Sequence, residues 1–313
     1  LGNNPPMYQE LQPARSEFVP IRQLNYHVRL WGPATSDLPP LVLVHGWMDV
    51  SASYQFVVDA FLQAFAQGRR IIAPDWRGFG LTAPPVPTDH YFFPDYLADL
   101  DHLLDHYAPG TPVDLVGHSM GGNVAMFYAG ARPARVRRLV NLEGFGMPAS
   151  KPTKAPKRYA EWMDELKALQ RGEMALKTYD SADGVARRLM KTNPRLPQDK
   201  AQWLARHWAR PNAQGQWEIL GDAAHKITNA MLFRLEEALA LYAAITAPTL
   251  SIEASDDSLG LWWKGRYTLE EYHQRLQSVP DCRIARVEDA GHMLHHDQPQ
   301  AVAALIEGFL QSK

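Results

Sequence analysis

Short apolar runs recur along the chain, at residues 41–44, 70–73, 113–116, 139–142, 249–252 and 283–287, each bounded by Gly, Pro, Asp or His. A strand covered on both faces needs no polar alternation, so runs of this length between turn residues predict buried parallel strands. Apolar positions between them fall at helical spacing: Val57, Phe61 and Phe65 before Gly68; Leu97, Leu100, Leu104 and Tyr107 before Pro109; Val302, Leu305, Ile306, Phe309 and Leu310 near the end. Thr268 followed by Glu271 has the spacing of a capping box, and predicts a helix burying Leu269, Tyr272 and Leu276 between the last two strands. Strand and helix alternate, which predicts an α/β fold with a doubly wound, mostly parallel sheet.

The alternation fails over residues 146–232. No clear strand is legible there, and Trp162, Trp203, Trp208 and Trp217 are scattered among helical patterns. The expected organisation is a core of two parts, 1–145 and 233–313, with a helical cap inserted at 146–232. The lysine- and proline-rich stretch 148–157 is the best linker. The tryptophans read first as packing for a small helical layer, with one or two available to line a pocket.

Composition narrows the classes without naming a function. Apolar residues make up 46% and charged residues 21% of 313 positions, the balance of a folded globular chain. Lysine plus arginine number 32 against 34 acidic residues, so no global field draws nucleic acid or an anionic membrane. The single cysteine, Cys282, has no partner for an internal disulfide, which favours a cytoplasmic setting. Residues 1–20 hold no apolar run long enough for a signal peptide or a membrane span, although a first residue of Leu leaves room for an earlier segment. Neither a P-loop, a G-x-G-x-x-G after the first strand, H-E-x-x-H nor zinc-finger spacing occurs, so neither cofactor nor metal is expected.

The chemistry concentrates at Gly117-His118-Ser119-Met120-Gly121, where an apolar strand runs straight into a helical pattern. This is G-x-S-x-G in the strand-turn-helix setting the motif needs, because small residues on both sides of the serine allow the sharp bend and the close helix. The Met120 N–H at the helix start then lies where an oxyanion would develop. Upstream, the first apolar run ends in His45-Gly46-Trp47, and the Trp47 N–H is the candidate second donor. His45 itself reads as a turn histidine, and Asp75 with Arg77 as an ion pair bracing the next loop. A serine hydroxyl needs a base and the base an orienting acid. His292, directly after Gly291 in the loop past the last strand, is the best base; His295 and His296 compete on composition but adjoin a helix start.

These residues together resemble the α/β-hydrolase family, over nearly the whole chain from about Glu17. His45-Gly46-Trp47 is similar to the family's oxyanion turn, Gly117 to Gly121 to its nucleophile elbow, Gly291-His292 to its terminal histidine loop, and 146–232 falls where the family inserts a cap. The resemblance implies Ser119 as nucleophile, His292 as general base, and the Trp47 and Met120 amides as oxyanion hole. For the acid it implies Asp257, in a G-x-x-D-like turn where Ala254 replaces the glycine, with Asp256 one residue away. Glu143, in Leu142-Glu143-Gly144, matches the position used by the haloalkane dehalogenase branch and is the other alternative. That branch and the epoxide hydrolases use an aspartate nucleophile, whereas this elbow carries serine. The implied activity is cleavage of a carboxylic ester or related small acyl substrate through an acyl-serine. Alternatives are a lactonase, an amidase or a C–C bond hydrolase with the same triad, and a non-catalytic receptor on the same fold; the oligomeric state is left open.

Overall fold

A computed structural model describes residues 6–312; residues 1–5 of the N-terminal stretch and Lys313 lie outside the described residues. The main sheet is built from β1 (Arg15–Ile21), β2 (Leu24–Trp31), β3 (Leu41–Val44), β4 (Ile71–Pro74), β5 (Val113–His118) and β6 (Val136–Leu142) before the insertion. After it come β10 (Thr249–Ala254) and β11 (Cys282–Val287). Their order is β1-β2-β4-β3-β5-β6-β10-β11, with every pairing parallel except β1 with β2 and β2 with β4. The six apolar runs all become parallel strands, as buried strands of an α/β sheet should.

The sheet also has an antiparallel hairpin that the apolar runs do not reveal. β1 exposes its first four residues and β2 buries His27 and Arg29, so neither segment reads as an apolar run. Ile21 pairs with Leu24 across a tight turn in which Arg22 takes φ 55°. The left-handed backbone suits the twist of a two-residue hairpin.

Helices cover both faces of the sheet. On one side α1 (Gln55–Ala60) and α2 (Gln63–Ala66) pack with the C-terminal helix. The single helix expected before Gly68 is broken, because Phe61 and Leu62 turn extended. On the other side lie α3 (Pro94–Tyr107), α4 (Met120–Ala131), and later α8 (Leu235–Ala243) and α10 (Leu269–Leu276). Thr268 caps the helix as expected, accepting from the Glu271 N–H at 3.2 Å, although Leu269 is only partly buried. The Asp75–Arg77 pair expected to brace a loop does not form. Asp75 instead pairs with His27 at 2.6 Å, and Arg77 with Asp99 at 2.9 Å.

Between β6 and α8 the chain forms α5 (Ala155–Gln170), α6 (Ala182–Thr192) and α7 (Gln198–Trp208). It also forms β7 (Thr178–Tyr179), β8 (Ala209–Pro211) and β9 (Trp217–Ile219), an antiparallel sheet ordered β7-β9-β8. The helices of the expected helical cap are present, and this small sheet, where no clear strand was expected, is added to them. Strands of two or three residues carry no apolar run, and their hairpin is set by Asn212, whose side-chain oxygen accepts from the Gln214 and Gln216 amides. Trp203 is buried with Val185, Leu189 and Leu204 against Val50 and Phe56 of the main domain, so it is packing. Trp162 remains half-buried on α5, edge-on to His90. The short helices α9 (Ser258–Trp263) and α11 (Leu294–Asp297) and the final α12 (Pro299–Gln311) complete the chain.

Close approach of α4 to the sheet depends on glycine. A Cβ on Gly121 would lie 2.4 Å from the Val44 carbonyl oxygen and 2.5 Å from that of His45, and backbone cannot swing aside. Gly121→Ala is therefore expected to lower stability by about 1–3 kcal/mol, read as a lower urea midpoint at unchanged slope. An unchanged midpoint would show that α4 is free to shift away from β3.

Candidate active site

The end of β5 is where the backbone bends hardest. Ser119 sits between β5 and α4 at φ 56° and ψ −119°, a conformation held by its amide on the Leu142 carbonyl at 2.9 Å and by the start of α4. Strain of this kind costs about 1–3 kcal/mol and lasts only where surrounding structure fixes it. Met48, Glu143 and Asp289 also have positive φ, each just beyond the C-terminal end of a neighbouring strand. Strained backbone thus gathers along the strand ends, where α/β sheets place their ligand sites.

Gly46 lets the loop after β3 pass against the serine, since a Cβ there would be 3.0 Å from the Ser119 Cβ and 3.2 Å from the His118 oxygen. Neither the Trp47 nor the Met120 amide donates to an acceptor among the described residues. For Met120 the reason is its place as the first residue of a helix, where N–H groups have no intrahelical partner. His45 behaves as a turn histidine, accepting from the Trp76 amide at 2.9 Å.

His292 Nε2 lies 2.9 Å from Ser119 Oγ, and its Nδ1 lies 3.1 Å from Glu143 Oε1. An ionised carboxylate only accepts, so when Glu143 is ionised the ring proton sits on Nδ1 and leaves Nε2 to receive the serine proton. The loop is shaped by Asp297, which accepts from the Gly291 amide at 2.8 Å, and by His118 Nε2, 2.8 Å from the His292 carbonyl. His295 and His296 are buried behind the site and do not reach the serine oxygen.

The first choice of acid, Asp257, does not meet the histidine in this geometry. Asp257 caps α9, accepting from the Gly260 amide at 2.9 Å, and Asp256 pairs with Arg195 at 2.7 Å; neither bonds to His292. Glu143 does. It leaves the end of β6 at φ 58°, which aims its carboxyl across β10 toward the histidine loop. Its Oε1 also accepts from Ser258 Oγ at 2.6 Å, and its Oε2 from the Ala254 amide at 2.9 Å. A family turn in sequence favoured Asp257; the placement is decided by which carboxyl faces the imidazole. Ser258 was not singled out from sequence, because a lone serine after two aspartates carries no signal.

Burial dominates the electrostatics. It pushes the Glu143 carboxyl up to about 7, against the Ser258 and Ala254 donors that pull it down and with Asp257 and Asp256 adding to the rise. It pushes His292 down to about 4, so the imidazole is neutral at ordinary pH, with its Nε2 lone pair unprotonated. His118 and His295 are held well below the ordinary histidine range, first by burial and then by neighbouring imidazoles. Trp262 stands edge-on to His292, with ring centroids 4.5 Å apart, and is 44% exposed; Trp47 is 51% exposed. Trp262 therefore sets a part-exposed apolar ring against the base, while the Trp47 indole N–H donates to the His225 carbonyl at 3.1 Å.

The chain is similar to known proteins. A family model described as "Alpha/beta hydrolase family" matches residues 41–305. A "Serine hydrolase-like protein" of Danio rerio is 27% identical over 308 residues, covering 95% of this chain and 89% of its own. An "sn-1-specific diacylglycerol lipase" of the same species is 28% identical over 281 residues, covering 88% and 79%. Among solved structures, a thioesterase domain from the curacin biosynthetic pathway superposes with a TM-score of 0.77 at 23% identity, covering 94% of this chain and 99% of that domain, a likeness of fold. Among the described residues no helix is long and apolar enough to cross a membrane.

Proposed function

The chain is a hydrolase belonging to the α/β-hydrolase family, and from that premise we propose that it is a serine hydrolase that cleaves a carboxylic ester or related acyl substrate through an acyl-serine. The observation that carries this reading is the continuous hydrogen-bonded line from Ser119 Oγ through the His292 ring to Glu143. A nucleophile, a base within reach of its proton and a buried acid fixing the base's tautomer are the parts acyl transfer needs.

His292 Nε2 takes the Ser119 proton as Oγ attacks the carbonyl carbon, and the imidazolium that forms is stabilised by Glu143. The Trp47 and Met120 amides are the donors for the oxyanion, and loss of one such donor typically costs about 10²–10³ in rate. His292 returns the proton to the departing alcohol. Water, deprotonated by the same nitrogen, then attacks the acyl carbon and frees Ser119. The part-exposed ring of Trp262, against His292, offers the substrate an apolar wall.

The test is steady-state hydrolysis of p-nitrophenyl esters of graded acyl length. Repeated turnovers are the expected result; a single stoichiometric burst would mark a receptor instead. The acid limb of the kcat/KM profile is expected in a window centred on about 7, the Glu143 value, because His292, at about 4, is already neutral there and the pair reaches its reactive form only when the carboxyl ionises. Activity rises as pH increases through that window, since the reactive form is neutral His292 beside ionised Glu143. In Glu143→Gln the limb should move down toward the histidine value, and a limb that stays in place would remove Glu143 from the titrating unit.

A further inference from the structure

Beside the nucleophile elbow, three segments bring buried polar groups together. They are Asp49 from the loop after β3, His118 at the end of β5 and His295 on α11. Asp49 is 3% exposed, His118 2% and His295 0%. One donor atom from each lies within 4.8 Å of the other two. We propose that Asp49, His118 and His295 form a binding site for one divalent transition-metal ion of the zinc class.

The hydrogen bonds around the cluster leave the needed lone pairs free. Asp49 Oδ1 accepts from the Val50 amide at 2.8 Å, from Trp208 Nε1 at 2.9 Å and from Ser53 Oγ, while Oδ2 has no partner among the described residues. Three donors thus orient the carboxylate and spare one oxygen. His118 Nε2 is committed to the His292 carbonyl, which places its proton there and leaves Nδ1 as an unpartnered lone pair. Metal-binding histidines commonly have this arrangement, the far nitrogen donating to a backbone carbonyl. Both ring nitrogens of His295 are unpartnered, and its ring lies 4.2 Å from that of His118.

Buried polar groups are ordinarily paired, so several unpaired atoms converging on one point indicate an occupant. Two neutral imidazoles and a carboxylate are a borderline donor set that suits Zn²⁺ or Co²⁺ better than the all-oxygen shells of Ca²⁺ and Mg²⁺. The carboxylate offsets part of the ion's charge. Bonds of about 2.0–2.1 Å require the donors to draw in to roughly 3.3 Å from one another, a side-chain movement. An ion there would clip together the oxyanion loop, the elbow strand and the histidine loop, and it involves neither Ser119 nor the outcome of the esterase test.

The experiment uses the full chain, stripped with a chelator and titrated with Co²⁺ by visible absorption and with Zn²⁺ by calorimetry. Expected are one ion per chain, cobalt ligand-field bands, and a Tm rise of about 5 °C at a hundredfold excess over Kd. Asp49→Asn and His295→Ala should lose the bands, whereas His292→Ala should keep them, which separates this site from the histidine beside Ser119. Absence of saturable uptake by the parent chain, or uptake unchanged in both Asp49→Asn and His295→Ala, would overturn the proposal and leave a bridging water as the occupant. Should those variants fail to fold, anomalous scattering from a Zn²⁺-soaked crystal of the parent chain decides it, a peak among the three side chains supporting the site and a peak elsewhere refuting it.

Discussion

Ser119→Ala is expected to lower kcat on any accepted ester by about 10⁵–10⁶-fold while leaving the protein as stable as the parent. The size follows from the serine acting as one unit with its base: removing the nucleophile costs about as much as removing the whole triad, and what remains comes from binding and the oxyanion donors. Stability should be unchanged within about 0.5 kcal/mol. The hydroxyl's one hydrogen-bonding neighbour is His292 Nε2, and the φ of 56° that strains Ser119 strains alanine equally. The check is steady-state turnover beside a urea melt on the same preparations. A variant that keeps a rate within tenfold of the parent would mean that another group attacks the substrate, and the acyl-serine reading would be abandoned.

Glu143→Gln is expected to reduce kcat by about 10³–10⁴-fold, because an amide in the acid's place no longer holds the imidazole in the needed tautomer or stabilises its protonated form. Its effect on stability should have the opposite sign to that of most buried substitutions. The carboxyl's pKa rises from an ordinary 4.5 to about 7 on folding. Its contribution is therefore fully present below 4.5 and lost as pH increases through about 7, and above that the parent carries a buried charge that glutamine lacks. At pH 8 the variant should match or exceed the parent, by up to about 3 kcal/mol.

Asp257→Ala is the companion measurement. It removes the α9 cap, for about 0.5–2 kcal/mol of stability, with little change in kcat. If instead Asp257→Ala abolished turnover and Glu143→Gln did not, the acid would be Asp257 and the geometry of the β6 end would have no catalytic meaning.

Much of the architecture is legible in the chain because its causes are local. Buried parallel strands are continuous apolar runs, so residues such as Leu41 and Val113 announce them. The serine turn is legible for a similar reason, since Gly117 and Gly121 are both needed where a Cβ would meet backbone oxygens within 2.5 Å. The β1–β2 hairpin and the three short strands of the insertion are not legible. The hairpin owes its place to pairing with β4 at the edge, and the others are too short to show a period.

Sequence alone determined that an α/β sheet would carry Ser119 on a strained turn and His292 in a loop beyond the last strand, because both depend on neighbouring residues in the chain. Only the tertiary structure brings Glu143, and not Asp257, to the histidine. The two carboxylates follow adjacent strands, β6 and β10, and their roles are set by a backbone angle at one and a helix cap at the other. It also decided that Asp49, His118 and His295, which are 246 positions apart at their extremes by residue number (295 − 49), share one buried space. Side-chain direction and the convergence of distant loops are properties of packing, and no local pattern along the chain encodes them.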